Sequence, residues 1–185
     1  PESWAAAETG AVPVAVPATE YFNDVVQPIL RQEGDKLPVS AFEADGTVPS
    51  GTTKYEKRGI AVLAPDWIPE NCIQCNQCAY VCPHACIRPY LVKDDEVAGL
   101  PEGFVTKKAT GKAYEGYQFR MQLSPLDCTG CGNCVDVCPS KNKALEMKPL
   151  TDLLGKEDIN WEAAQKLPVP DVKFSSATVK DSQFT

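Results

Sequence analysis

Apolar residues recur at helical spacing across residues 19–32, where Tyr21, Phe22, Val25, Val26, Ile29 and Leu30 share one face. Thr19 stands at the N-cap position of that helix. Pro28 predicts a kink or a split within it, and Gly34-Asp35 ends it. Further along, the apolar runs shorten to strand length. Residues 60–63 begin a strand that leads into Pro65-Asp66-Trp67, and residues 119–123 begin another that leads into Ser124-Pro125-Leu126-Asp127. Two more strands are expected near 87–92 and 144–148. Residues 44–56 carry turn residues without a period. Residues 94–116 hold four glycines and scattered lysines and predict an inserted hairpin or lid. At the ends, residues 1–17 are rich in Ala, Pro and Val and read as a linker or strap, while 151–185 offer one short helix near 158–167 and then an extended tail.

Nine cysteines turn these short elements into a repeat. Eight of them form two copies of C-x2-C-x2-C-x3-C-P: Cys72, Cys75, Cys78 and Cys82 with Pro83, then Cys128, Cys131, Cys134 and Cys138 with Pro139. That run is the ligand pattern of bacterial two-cluster iron–sulfur proteins. A cubane takes one thiolate per iron. Three cysteines at i, i+3 and i+6 can wrap one cluster in a tight loop whose backbone N–H groups turn toward sulfur. The fourth is expected on a short helix that the following proline ends. In two-cluster proteins the fourth cysteine serves the other cluster. Cys72, Cys75, Cys78 and Cys138 are therefore assigned to cluster one, and Cys128, Cys131, Cys134 and Cys82 to cluster two. Zinc sites use one or two C-x2-4-C pairs, and a disulfide framework needs an oxidising compartment; both suit this spacing less well.

Each cysteine run lies between two strands. The fold class expected is α+β: a ferredoxin-like βαββαβ pseudo-twofold repeat binding two 4Fe–4S clusters, with long N- and C-terminal flanking segments and an inserted hairpin or loop between the repeats. The boundaries fall at 1–58 for a linker and helical lead-in, 59–150 for the two-cluster domain with its insertion at 94–116, and 151–185 for a linker to a missing domain.

Cys86 is the ninth cysteine. Aligning the repeats sets it opposite Ala144, so it reads as a small packing residue. The other reading is a spare thiol that replaces a ligand when a cluster is damaged. The net charge of −7 resides in the flanks: residues 72–148 hold nine Lys/Arg against eight Asp/Glu, whereas the residues before them hold eleven acids against five bases. Acidic flanks argue against nucleic acid as a partner. No stretch approaches the roughly eighteen apolar residues of a transmembrane helix, so no membrane span is expected. The opening Pro1-Glu2-Ser3-Trp4-Ala5 has neither Met nor the pattern of a signal peptide. The chain reads as cut from something longer, in a reducing cytoplasm that suits thiolates and oxygen-sensitive clusters.

Smaller features are ambiguous. Ala44-Asp45-Gly46, with Asn71 further on, is a faint match to a thiamine-diphosphate magnesium motif and reads better as a turn. Gly130 and Gly132 lie inside the cluster loop rather than in a phosphate cradle. His84, the only histidine, reads as a surface residue, with a cluster contact as its alternative. Trp67 and Tyr80 flank the first run and read as residues that keep water away. Lys141, Lys143 and Lys148 are either docking residues for an acidic carrier or plain surface lysines.

The stretch from Pro69-Glu70-Asn71-Cys72 to Cys82-Pro83-His84-Ala85 carries a more specific signal. Together with Ser124-Pro125-Leu126-Asp127-Cys128, Tyr55-Glu56-Lys57-Arg58-Gly59, Leu37-Pro38-Val39-Ser40-Ala41-Phe42 and Thr178-Val179-Lys180, it resembles the pyruvate:ferredoxin (flavodoxin) oxidoreductases. The resemblance implies a piece of a multidomain thiamine-diphosphate enzyme. That family decarboxylates pyruvate oxidatively to acetyl-CoA and CO2 and sends electrons through three 4Fe–4S clusters to ferredoxin or flavodoxin. The two clusters here are then the medial and distal ones. Thiamine diphosphate, Mg and the third cluster belong to other domains of a homodimeric, cytoplasmic parent in an anaerobic metabolism, and this stretch holds no catalytic residue. Two departures stand out: Cys86 in place of alanine, and Asp181 where glycine is expected. A free-standing ferredoxin-like carrier and a subunit of another 2-oxoacid:ferredoxin oxidoreductase are the rival readings.

Overall fold

The computed structural model describes residues 19–175 and 177–184, so the strap expected at 1–17 lies outside the described residues. The chain divides into two compact units, one ending at Arg58 and one beginning at Gly59.

In the first unit, a π-helical segment Phe22–Val26 runs into helix α1 (Gln27–Leu30). Thr19 caps the start, its hydroxyl oxygen accepting from the Phe22 amide at 3.3 Å. The sequence predicts a kink or split at Pro28. A π turn stands directly before it instead, and its wider ring separates the proline from the carbonyl it would strike in a regular helix. The helix stops at Leu30, short of Gly34, because Gln32 turns left-handed at φ 61°. Phe22 and Val25 are buried, and the Phe22 ring meets Tyr55, from the 3-10 turn Thr52–Tyr55, with centroids 5.0 Å apart.

The second unit holds five strands: β1 (Leu63–Trp67), β2 (Ile87–Lys93), β3 (Lys107–Lys108), β4 (Tyr117–Leu123) and β5 (Leu145–Pro149). β1 pairs antiparallel with β5, and β4 lies between β2 and β3 in a second antiparallel sheet. Helix α2 (Gln77–Tyr80) follows β1, and helix α3 (Asn133–Asp136) follows β4. Among the strands and these two helices, the chain order is β1, α2, β2, β3, β4, α3, β5.

Three expectations need correction. The first strand does not begin at Ile60: Ile60 and Val62 are exposed, and pairing starts at Leu63 and continues through Pro65 to Trp67. A two-stranded sheet is all edge, which tolerates Pro65, and β2 is likewise an edge strand that tolerates Pro89. The hairpin of the insertion is not self-contained: its strand β3 pairs with β4 and so extends the sheet of the repeat. After Pro149 the helix expected near 158–167 is present, but the residues beyond it are not simply an extended tail. The segment after Pro149 forms α4 (Leu150–Leu153), α5 (Glu157–Ala164) and α6 (Val179–Ser182), and Val172, Phe174 and Phe184 pack against the core.

β4 organises that core. Phe119, Met121 and Leu123 alternate onto the face that meets the cysteines and are at most 3% exposed. Burying a side chain of that size contributes about 1.5–3 kcal/mol. The intervening residues face α5. The Arg120 guanidinium donates to Glu157 at 2.8 Å and to the Val105 carbonyl at 2.8 Å, and the Gln122 amide donates to the same Glu157 oxygen at 2.9 Å. A buried charge is tolerated only when paired in this way. Among the described residues, no helix is long and apolar enough to cross a membrane.

Candidate metal centres

The two cysteine runs share a backbone path, although their sequences differ. Each begins with a 3-10 turn, Pro69–Asn71 or Pro125–Asp127, whose end brings the first cysteine into place. Two left-handed residues follow in each loop: Gln74 and Asn76 at φ 57° and 59°, then Gly130 and Gly132 at φ 72° and 78°. These turns point amides at sulfur. The Gln74 amide lies 3.4 Å from the Cys72 Sγ, and the Gly130 amide lies 3.4 Å from the Cys128 Sγ. The helices hold the third cysteine of each run, Cys78 and Cys134, and end at Tyr80 and Asp136. The sequence predicts the fourth cysteine on each helix; Cys82 and Cys138 stand just beyond the helix ends instead. The Ala144 amide donates to the Cys138 Sγ at 3.3 Å. The loops are also cross-tied: the Ile68 amide donates to the Ala144 carbonyl at 2.9 Å, and the Ser124 amide to the Cys86 carbonyl at 2.6 Å.

All eight cysteines line two pockets. The first is bounded by Cys72, Cys75, Cys78 and, from the other repeat, Cys138, with Trp67, Met121 and Leu145 as apolar wall. The second is bounded by Cys128, Cys131, Cys134 and, from the first repeat, Cys82, with Pro65, Leu123 and Ile87 as wall. Their empty spaces are about 330 and 360 Å³, mouths included. Among the described residues, no three His, Cys, Asp or Glu side chains converge on a point that could hold a single ion. The thiols sit around the walls, which suits a polynuclear group taking one thiolate per metal.

The chemistry of the lining fits such a group. Burial is the main force pushing the Cys78 thiol up and holding the Cys134 thiol at about 12, because thiolates in an apolar pocket lack a compensating charge. A cationic core supplies that charge and replaces the protons. The indole Nε1 of Trp67 is buried without an acceptor on the first pocket, a donor that an inorganic sulfide can satisfy. The other orphan atom there, Asn76 Oδ1, is an acceptor and is not satisfied by sulfide.

Gln74 and Asn76 escaped sequence reasoning, yet both are 1% exposed and hold the first loop. The Gln74 side-chain amide donates to the Lys108 carbonyl at 2.8 Å, and its oxygen accepts from the Thr110 amide at 2.8 Å. The Asn76 side chain donates to the Lys180 carbonyl at 2.8 Å. Lys107, from the insertion, donates to the Pro69 and Cys72 carbonyls at 2.6 and 2.9 Å. The insertion and the C-terminal segment thus cover this loop. A signal was available: aligned repeats set Gln74 and Asn76 opposite Gly130 and Gly132, which marks both positions as left-handed.

Other candidates take plainer roles. Cys86 is buried on the second pocket, its Sγ 3.5 Å from the Cys82 Sγ and also facing Cys128. His84 lines the rim of that pocket and is exposed. Tyr80 is 62% exposed and so shields little. Lys143 donates to the Asp136 and Cys138 carbonyls, and Lys148 pairs with Asp66 at 2.6 Å, so both are committed within the fold. Asp45 accepts from Thr47 in a turn, while Asn71 donates to the Asn142 and Lys143 carbonyls; neither acts as a magnesium motif. Asp181 accepts from the Tyr114 hydroxyl, and its amide is capped by Thr178 at 3.1 Å.

Comparison with known proteins agrees with this geometry. A family model described as a 4Fe-4S dicluster domain matches residues 71–142, and the EKR domain, a domain of unknown function, matches residues 7–61. Pyruvate:ferredoxin oxidoreductase of Moorella thermoacetica is 58% identical over 184 residues, covering 100% of this chain and 16% of that protein. Pyruvate-flavodoxin oxidoreductase of Klebsiella pneumoniae is 46% identical over 186 residues, with the same coverage of 100% and 16%. The mitochondrial pyruvate dehydrogenase (NADP+) of Euglena gracilis is 47% identical over 165 residues, 89% of this chain and 9% of that protein. The chain spans about one sixth of the length of the first two relatives. It carries a 4Fe–4S dicluster domain and is similar, over its whole length, to one stretch of the pyruvate:ferredoxin and pyruvate-flavodoxin oxidoreductases.

Proposed function

We propose that the chain is the electron-relay module of a pyruvate:ferredoxin-type oxidoreductase and that each cysteine pocket holds one 4Fe–4S cluster. Cluster one takes Cys72, Cys75, Cys78 and Cys138; cluster two takes Cys128, Cys131, Cys134 and Cys82. One observation carries the reading: two pockets, each drawing three thiols from one repeat and one from the other. When bound, each cluster supplies a centre that gains and loses one electron at a time. The chain's own residues do the rest. The crossed cysteines staple the repeats, so cluster assembly and folding are coupled. The amides of Gln74, Gly130 and Ala144 donate to ligand sulfurs and favour extra negative charge there. Trp67, Met121, Pro65 and Leu123 exclude water.

The pairing of β1 with β5 and of β2 with β4, and the paired cross-ties at Ile68 and Ser124, support reading the unit as a βαββαβ pseudo-twofold fold with an insertion. On this reading residues 1–58 lead in, 59–150 hold the clusters, and 151–185 lead toward a further domain. Thiamine diphosphate, Mg and a third cluster belong to other domains of the parent. Ferredoxin and flavodoxin appear in the names of two relatives and NADP+ in a third. On this reading ferredoxin or flavodoxin is the acceptor that the module serves.

The test is iron and acid-labile sulfide in anaerobically prepared protein, with EPR of the reduced state. About eight irons per chain and spin-coupled 4Fe–4S signals are expected. Cys82→Ala and Cys128→Ala should leave the same surviving cluster spectrum, and Cys138→Ala and Cys72→Ala the other. Zinc in place of iron sinks the reading. A Cys82→Ala spectrum matching that of Cys72→Ala sinks the crossed ligation.

A further inference from the structure

The two pockets are built from equivalent positions, and they differ where the strand after each cysteine run begins. The first pocket has Ala144 there, which is 4% exposed and offers only its amide to the Cys138 Sγ. The second pocket has Cys86, which is 5% exposed and sits at the start of β2 with its Sγ 3.5 Å from the Cys82 Sγ. In free protein either sulfur of the Cys82–Cys86 pair can donate. A Cys82 that ligates metal is a thiolate and can only accept, so the single proton of the pair belongs to Cys86.

We propose that Cys86 is a positioning residue whose thiol donates a hydrogen bond to the Cys82 sulfur and raises the reduction potential of the second cluster relative to the first. The inference rests on the cluster reading above. A donor aimed at a ligand sulfur stabilises the reduced, more negative state more than the oxidised one, so the potential rises. Cys86 holds no iron in this arrangement, because Cys128, Cys131, Cys134 and Cys82 already complete a set of four on that pocket. The first pocket carries the Trp67 indole N–H and the second carries Cys86, so each has a donor that the other lacks, and Cys86 is the one that sets the electron affinity of the second.

The test is an EPR-monitored redox titration of the cluster-loaded protein, at the full length in which the cell makes it, with iron counted in each sample. Cys86→Ala should lower one cluster potential and leave the others in place, with all irons retained. Cys86→Ser, which keeps a donor, should restore most of the shift. The reciprocal Ala144→Cys should raise the potential of the cluster on the first pocket. Full iron with every potential unmoved by Cys86→Ala overturns the role while leaving the cluster reading intact. Loss of about four irons per chain in Cys86→Ala also overturns it, because Cys86 is then a ligand. Absence of iron from the unsubstituted protein removes the cluster reading and this inference together.

Discussion

The two cysteine loops reach the same backbone geometry by different means. The second uses Gly130 and Gly132 at the two left-handed positions, while the first uses Gln74 and Asn76. Glycine adopts that conformation freely, whereas a residue with a Cβ bears roughly 1–2 kcal/mol of strain there. The first loop offsets that cost with side-chain hydrogen bonds to Lys108, Thr110 and Lys180. Those bonds also hold the insertion and the C-terminal segment over it. The second loop has no such anchors, and its Cys131 is exposed. Side chains at left-handed positions thus mark the loop tied to the insertion and the C-terminal segment, and glycines mark the loop that β1 approaches at Gly130.

The comparison breaks most severely at Gly130. A Cβ placed there would lie 2.8 Å from the Leu63 carbonyl oxygen, and that oxygen belongs to the backbone of β1. Gly130→Ala should cost roughly 2–5 kcal/mol, summing the left-handed strain and the displacement of a packed strand. Anaerobic urea unfolding of the cluster-loaded protein reads this directly, and a loss under about 1 kcal/mol contradicts the crowding argument. Gln74→Gly asks the opposite question. The backbone at φ 57° suits glycine, so only the anchors are lost. The Lys108 carbonyl and Thr110 amide are left without their partner, at a cost of about 1–3 kcal/mol. The Thr110 amide should then exchange hydrogen faster while the Gly130 amide does not change. Equal protection of Thr110 in both proteins means that Gln74 does not hold the roof.

Much of this was legible in the chain, and the exceptions share a cause. The strands at 119–123 and 87–92 follow from local period, and both reappear within a residue or two of the expected bounds. What escaped depends on distant partners. Pro65 looks like a strand end, but its strand is an edge paired with β5, more than seventy residues away. The run Tyr117-Gln118-Phe119-Arg120-Met121-Gln122-Leu123 alternates like a half-exposed strand, yet Arg120 and Gln122 are buried because Glu157 satisfies both. The tail looked extended because Val172, Phe174 and Phe184 are too sparse to form a period. They are held by tertiary contacts, with Phe174 stacked on Phe184 at 5.4 Å and Phe184 edge-on to Phe119 at 6.2 Å. No local pattern distinguishes a roofing segment from a linker.

The mildest variant sharpens the comparison most. Gly132 matches Asn76, and nothing lies within 4 Å of the Cβ that a side chain would add there. Asparagine tolerates the left-handed region better than most residues. Gly132→Asn should therefore cost less than about 1 kcal/mol and leave the iron content and both potentials unchanged. The same side chain at Asn76 reaches the Lys180 carbonyl. If Gly132→Asn destabilises as much as Gly130→Ala, glycine is required throughout the second loop for its conformation alone. The close approach of β1 at Leu63 is then irrelevant to the difference. If the two variants separate as expected, one glycine is there for its neighbour and the other only for its backbone.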